Sequence, residues 1–334
     1  MPRTGAAGLA GGGSAIPSIG ALENVMANSV LSAPHFQNED AAFDYVEAHL
    51  WPRGPVCPHC GERERIGRLN GKTTRPGLRK CYACRKPLTV RIGSIFEDSH
   101  LPLHLWLQVI HLMCASKKGI STRQIQRMLQ CSMKTAWHLT HRIRLAMSGA
   151  SDGGPLGGAG KVVEVDETYF GNLPVEKAPL KKRSSNPSYG PSYKRGILSL
   201  VERGGEARSF YVEGTKPEDV ARIVRANVDK ASRLHTDEHR MYRKVGEEFA
   251  AHEAINHGKK EYARGDVTTN TIEGFFSVFK RGMRGIYQQC GEQHSHRYLA
   301  EFDFRYNARQ SLGVTDQQRT SRAVMGNLGA EFVH

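Results

Sequence analysis

The sequence predicts a multidomain α/β (α+β) chain. Three observations carry that expectation. Two Cys-x-x-Cys pairs lie among turn residues between 51 and 98, and a long stretch with helical apolar spacing occupies 101–148. A glycine-rich break at 149–160 (GASDGGPLGGAG) is then followed by strand-like and helix-like segments that alternate to about residue 312. With 334 residues the chain is long enough for two or three domains.

The first 25 residues, rich in Gly, Ala and Ser, show neither helical nor strand periodicity, and 1–37 read as a disordered tail. They lack a basic segment followed by a long apolar core, so a secretory signal is not expected. Met26 opens the first sequence of ordinary composition. Either translation starts there or the tail is real, and a peptide from residues 5–20 in the native protein decides.

Residues 38–98 read as one unit. Ala42, Phe43, Val46 and Leu50 recur at helical spacing. Cys57-Pro-His-Cys60 and Cys81-Tyr-Ala-Cys84 then form a C-x2-C-x20-C-x2-C pattern. Two tight turns that each present two thiolates can close a tetrahedral shell on Zn2+, so Cys57, Cys60, Cys81 and Cys84 are expected to hold a structural zinc. A region this short needs such a staple, because its own core is small. The chain has 7 cysteines, and with four spaced as ligands the pattern fits a reducing cytoplasm better than a disulfide framework. Arg53, Arg63, Arg65, Arg68, Lys72, Arg75, Arg79, Lys80, Arg85, Lys86 and Arg91 surround the pairs. They form either a nucleic-acid surface or a solvated basic face.

Residues 99–148 predict three helices. Leu103–Ala115 is strongly apolar, Ser121 to Gln124 fits the opening of a second helix through Leu129, and Ser132 can cap a third to about Met147. In the third, Ala136, Leu139, Ile143 and Ala146 share a core face, leaving Lys134, His138, His141, Arg142 and Arg144 on others. A basic helix following a tight turn fits a helix-turn-helix, which places its second helix in the major groove. A plain helical subdomain is the alternative. His138 and His141 read as polar surface residues.

Beyond the linker, the run 161–170 alternates Val163 and Val165 with Glu164 and Asp166, so the two acids share one face of a strand. Glu167 should point to the other face. Residues 195–201 and 207–212 read as strands around a turn at 203–205, and 217–230 read as a helix with Pro217 in its first turn. Arg233 to Asp237 reads as a short strand ending in an acid. In 270–281, Ile272, Phe275, Phe276 and Phe279 form one side of an amphipathic helix, and Asn270, Glu273, Ser277 and Lys280 the other. Asp166, Asp237 and Glu273 are therefore candidates for one site that binds Mg2+ or Mn2+ through hard oxygen ligands for phosphoryl chemistry. Residues 313–334 read as a loosely structured tail.

Lys plus Arg total 47 against 33 Asp plus Glu, a net charge of +14. That excess points to a polyanionic partner, nucleic acid first. No apolar run approaches the length of a membrane span, which excludes an integral membrane protein built on helices.

From about residue 38 to 312 the chain resembles bacterial insertion-sequence transposases of the DDE class, in particular the zinc-ribbon group related to Merlin-type transposons. The matching segments are CPHCG (57–61), CYACRKP (81–87), VEVDETYFG (163–171), LHTDEHRMY (234–242), NTIEGFFSVFKRGMRGIY (270–287) and HRYLAEFDFRYNAR (296–309). The resemblance implies an RNase H-like domain over 161–312 and DNA transposition. It makes Asp166 and Asp237 the first two catalytic acids and Glu273 the third, with Asn270 a competitor for that position and Glu164 and Glu167 as possible partners of Asp166. Lys280, with Arg281 beside it, would contact DNA, as would Lys134, Arg142 and Arg144. It also implies double-stranded DNA partners (element ends and target), a dimer or larger assembly on DNA, and a cytoplasmic, nucleoid-associated location. The basic insert 172–195 would grip phosphates or remain a solvated loop. Tyr287, Tyr298 and Tyr306 would stack on DNA or pack in the core. A DNA-binding regulator that has lost catalysis, and a nuclease that cuts without joining, are the rival readings.

Overall fold

The computed structural model describes residues 29–149, 153–172, 194–212 and 216–326. The question of Met26, most of the basic insert and the last eight residues lie outside them.

Among the described residues a turn at Val30–Ser32 leads into a short helix α1 (Pro34–Gln37) and α2 (Glu39–Leu50), the latter capped by Asn38, whose side chain accepts from the Ala41 N–H. Phe36 is buried, so part of the stretch read as a tail is folded. A small antiparallel sheet follows, β1 (Ile66–Arg68), β2 (Arg79–Cys81) and β3 (Pro87–Leu88). Its buried interior is Cys57, Cys81 and Leu88. That is too little apolar surface to stand alone.

Helices α3 (Leu103–Ala115), α4 (Thr122–Leu129) and α5 (Met133–Ser148) occupy the expected positions. Ser121 and Ser132 cap the second and third, each accepting from a backbone N–H three residues on. Gln130, at φ 49°, makes the left-handed turn between them.

The second half is a five-stranded sheet in the order β6-β5-β4-β7-β8. Its strands are β4 (Val162–Asn172), β5 (Lys194–Glu202), β6 (Ala207–Val212), β7 (Arg233–Asp237) and β8 (Ala251–Ile255). β4, β5 and β6 are antiparallel neighbours, while β7 and β8 run parallel to β4. This mixed sheet is consistent with an RNase H-like fold. Strand periodicity sorts the side chains into two cores. Val163, Val165, Leu198 and Leu200 face α6 (Pro217–Asn227) and α7 (Met241–Gly246). Ile197 and Val201 face α8 (Asn270–Gly282) and α9 (Ser295–Asn307).

Two segments depart from the expectation. Leu156 of the glycine-rich linker is buried and exchanges backbone hydrogen bonds with Asn227 and Asp229, so 153–160 are fastened to the sheet domain. The stretch after 313 contains α10 (Asp316–Met325), closed by a capping box of Thr315 and Gln318 and packed on α3 through buried Ala323 and Val324. Among the described residues no helix is long and apolar enough to cross a membrane.

Candidate active site

Parallel pairing of β4 with β7 ends at Glu164 opposite His235. Two residues further along each strand stand Asp166 and Asp237. In-register parallel strands thus bring two acids, distant in sequence, to one carboxyl edge of the sheet, the usual place for a site in α/β folds. Oxygens of Asp166, Glu167 and Asp237 lie within 4.8 Å of one another.

Glu167 is the residue that strand alternation misjudged. It does lie on the opposite face from Asp166, toward α7, where Tyr242 Oη donates to its Oε2 at 2.5 Å. β7 no longer pairs with β4 at this level, and the Glu167 carboxylate joins the other two at the strand end. Burial, then the charges of Glu167 and Asp237, push the Asp166 carboxyl up to about 8. Burial also raises Glu167, against the hydrogen bond from Tyr242. Crowded, half-buried carboxylates of this kind are the donor set of a hard divalent cation, whose charge removes the repulsion.

Glu273 is in the first turn of α8 and half exposed. It accepts from Thr269 Oγ1 at 3.0 Å and lies 3.7 Å from His257 Nε2. It stands outside the three-carboxylate group, yet its charge contributes to the raised Asp166. Asn270 is exposed at the start of the same helix, with its N–H on Thr268 Oγ1. Lys280, two turns beyond Glu273, is half-buried; burial lowers its pKa while Asp166 opposes the fall. Arg281 is exposed and its Nε donates to Ser277 O.

The helix-turn-helix candidates divide. Lys134 is exposed. Arg142 donates to the carbonyls of Ile95 and Glu97, fastening α5 to the segment before α3. Arg144 is a correction: its side chain is 0% exposed, its Nε donates to Glu301 at 2.7 Å, and its guanidinium lies 4.1 Å from the Tyr298 ring centroid. His141, expected on the surface, is buried against Trp137, with centroids 4.0 Å apart. Tyr287 and Tyr298 belong to the same packed cluster, and Tyr306 packs edge-on against Phe275.

In the ribbon, Cys57 Sγ lies 3.7 Å from Cys84 Sγ, and Cys60 Sγ 3.7 Å from Cys81 Sγ. Zn–S bonds of about 2.3 Å in a tetrahedron require sulfurs about 3.8 Å apart. The four thiols are free of disulfides and meet within 4.8 Å, so the ribbon is built to hold structural Zn2+. Arg79 pairs with Glu47, Arg91 with Glu39 and Arg68 with Asp44, tying it to α2. Arg53, Arg63, Arg65, Lys72, Arg75, Arg85 and Lys86 remain exposed.

Residues 155–307 match the ISXO2-like transposase domain, and residues 37–87 match the transposase zinc-ribbon domain. A protein in the transposable element ISH50 of Halobacterium salinarum is 26% identical over 271 residues, covering 75% of this chain and 86% of its own length. The chain thus carries an ISXO2-like transposase domain preceded by a transposase zinc ribbon.

Proposed function

We propose that this zinc-ribbon transposase cuts the 3′ ends of its own insertion sequence and joins them to target DNA. The observation that carries the reading is the convergence of Asp166, Glu167 and Asp237 at the end of two parallel strands, inside a transposase domain. Asp166 and Asp237 would hold the catalytic Mg2+ or Mn2+, with Glu167 beside them and Glu273 completing the site from α8. When bound, such a cation lowers the pKa of an attacking hydroxyl and neutralises charge that develops on phosphate oxygens.

The chain's own residues would do the rest. Tyr242 orients Glu167, and Lys280, facing the acids, supplies a cation for a DNA phosphate. In the first reaction water attacks the phosphodiester at the element end and a 3′-hydroxyl leaves. In the second that hydroxyl attacks a target phosphodiester, so the bond broken in the target is replaced by the one formed. Arg281, Asn270, Lys134 and the exposed arginines of the ribbon serve as DNA contacts, with the ribbon and the helix-turn-helix reading the terminal repeats. Two ends must meet, which calls for a dimer or larger on DNA, working in the cytoplasm at the nucleoid.

The test is incubation with DNA carrying the sequences that flank the gene, with Mg2+ or Mn2+, followed by mapping of 3′ ends and joined products. Cuts at inverted repeats that vanish in Asp237→Ala, with end binding retained, are expected. Full cutting by a folded Asp237→Ala protein overturns the assignment. Cuts without joined products favour a nuclease, and binding without cuts a regulator.

A further inference from the structure

Glu164 takes no part in the three-carboxylate group, although it lies two residues before Asp166 on the same face of β4. Its side chain is 0% exposed, and both oxygens are engaged. Oε1 accepts from Arg203 Nε at 2.8 Å, and Oε2 accepts from the backbone N–H of Ile272 at 2.9 Å. Ile272 is the third residue of α8, and its N–H is one of the donors that a helix start leaves without an internal acceptor.

Local capping reaches only the first of these donors, the Asn270 N–H, which Thr268 Oγ1 accepts at 3.0 Å. Thr269, at the N-cap, makes no side-chain cap bond and gives its hydroxyl to Glu273 instead. The acceptor for the Ile272 N–H thus comes from a strand more than 100 residues earlier. Arg203 extends the tie, because its other nitrogens donate to the carbonyls of Asp266 and Thr268, in the segment that leads into α8. One NH2 also lies 3.2 Å from His235 Nδ1 on β7.

Burying a carboxylate is costly unless its charge and lone pairs are matched, and the docked first turn of α8 supplies one of the two partners here. The apolar face of α8 glues the helix to the sheet but is non-directional. A fixed carboxylate at the first turn selects the helix position along its axis. Glu273 follows Ile272 directly, and Asp166 follows Glu164 by two residues.

We propose that Glu164 is a positioning residue that sets Glu273 against Asp166 by docking the first turn of α8 on β4. The proposal rests on the reading in which Asp166 and Glu273 serve one metal site. Glu164→Gln keeps the volume but turns an amide donor toward either the Ile272 N–H or the Arg203 guanidinium. Two measurements test it. Amide exchange over residues 268–276 of folded Glu164→Gln should rise about tenfold or more, with exchange in α6 unchanged. Mn2+ affinity should fall about 10–100-fold, the usual loss for a residue that orients a ligand. It should fall less than about twofold when Glu273 is already Gln, because the residue being placed is then gone.

Unchanged exchange over 268–276 overturns the docking. An equal loss of Mn2+ affinity with and without Glu273 overturns the positioning role, since a general scaffold acts in both backgrounds. If wild type and Asp237→Ala bind Mn2+ alike, the proposed metal site itself falls, and the exchange measurement still decides whether Glu164 docks the helix.

Discussion

At the scale of single residues, Asp166 is where stability and chemistry oppose each other. Its carboxyl is raised from 3.8 to about 8 by burial and by Glu167 and Asp237. An acid shifted in this direction stabilises the fold only while protonated. Below about pH 4 both the folded and unfolded chains hold the proton; from there to about pH 8 the folded chain holds more, and stability falls as pH rises. The metal-free protein is therefore expected to melt at lower temperature at pH 8 than at pH 5, and Asp166→Asn to flatten that slope. Mg2+ should raise the melting temperature of wild type at pH 8, by binding the folded state alone, and leave Asp166→Asn nearly unmoved. Identical pH profiles for the two proteins would remove the electrostatic argument. Asp166 and Asp237 were legible in the sequence because one alternates with valines inside a β-prone run and the other ends a short one, both local signals. Glu167 was not. Strand alternation predicts the face a side chain leaves from, but not that the neighbouring strand stops pairing and lets a long carboxylate reach the site.

At the scale of elements, the ribbon depends on its metal. Its strands span three, three and two residues, and the interior is little more than Cys57, Cys81 and Leu88. Removing Zn2+ with a chelator, or Cys81→Ser, is expected to unfold residues 55–88 and abolish specific end binding, while Val90, Ile95 and Phe96 stay in the helical core. The five-stranded domain should keep its own melting transition, because its two cores share no residue with the ribbon. Loss of both transitions together would show that the ribbon is part of a larger cooperative unit. Elements with strong internal periodicity, such as α3, α8 and β4, were readable without the fold. α10 was not, since its composition is polar and its apolar contacts, Ala323 and Val324, acquire meaning only against α3. The one local signal was Thr315 followed three residues later by Gln318, the pattern of a capping box.

At the scale of the whole molecule, the glycine-rich stretch suggests two bodies joined by a linker, while the packing joins them firmly. Phe304 of α9 belongs to the N-terminal helical core, and α10 returns from the sheet domain to cover α3. Between α5 and α9 lies a buried charge cluster in which Glu301, 0% exposed, pairs with both Arg144 and Arg305 and accepts from Tyr287 Oη. Arg144 therefore holds α5 against α9 and, with its side chain 0% exposed, presents no charge at the surface. The two roles separate experimentally. Truncating one partner of a buried ion pair costs about 3–5 kcal/mol when it strands the other, and Glu301 keeps Arg305 and Tyr287, so that range is an upper bound here. Arg144→Met should destabilise the protein by up to that amount, yet at a temperature where it remains folded it should bind nonspecific DNA with the salt dependence of wild type. Lys134→Ala, on the exposed face of the same helix, should do the reverse. Stability should hold within about 0.5 kcal/mol, while the slope of log affinity against log salt falls by about one if Lys134 meets a phosphate. Should Arg144→Met lose salt dependence with its stability intact, the helix would have to turn this arginine outward on DNA, and the rigid junction between α5 and α9 would be wrong.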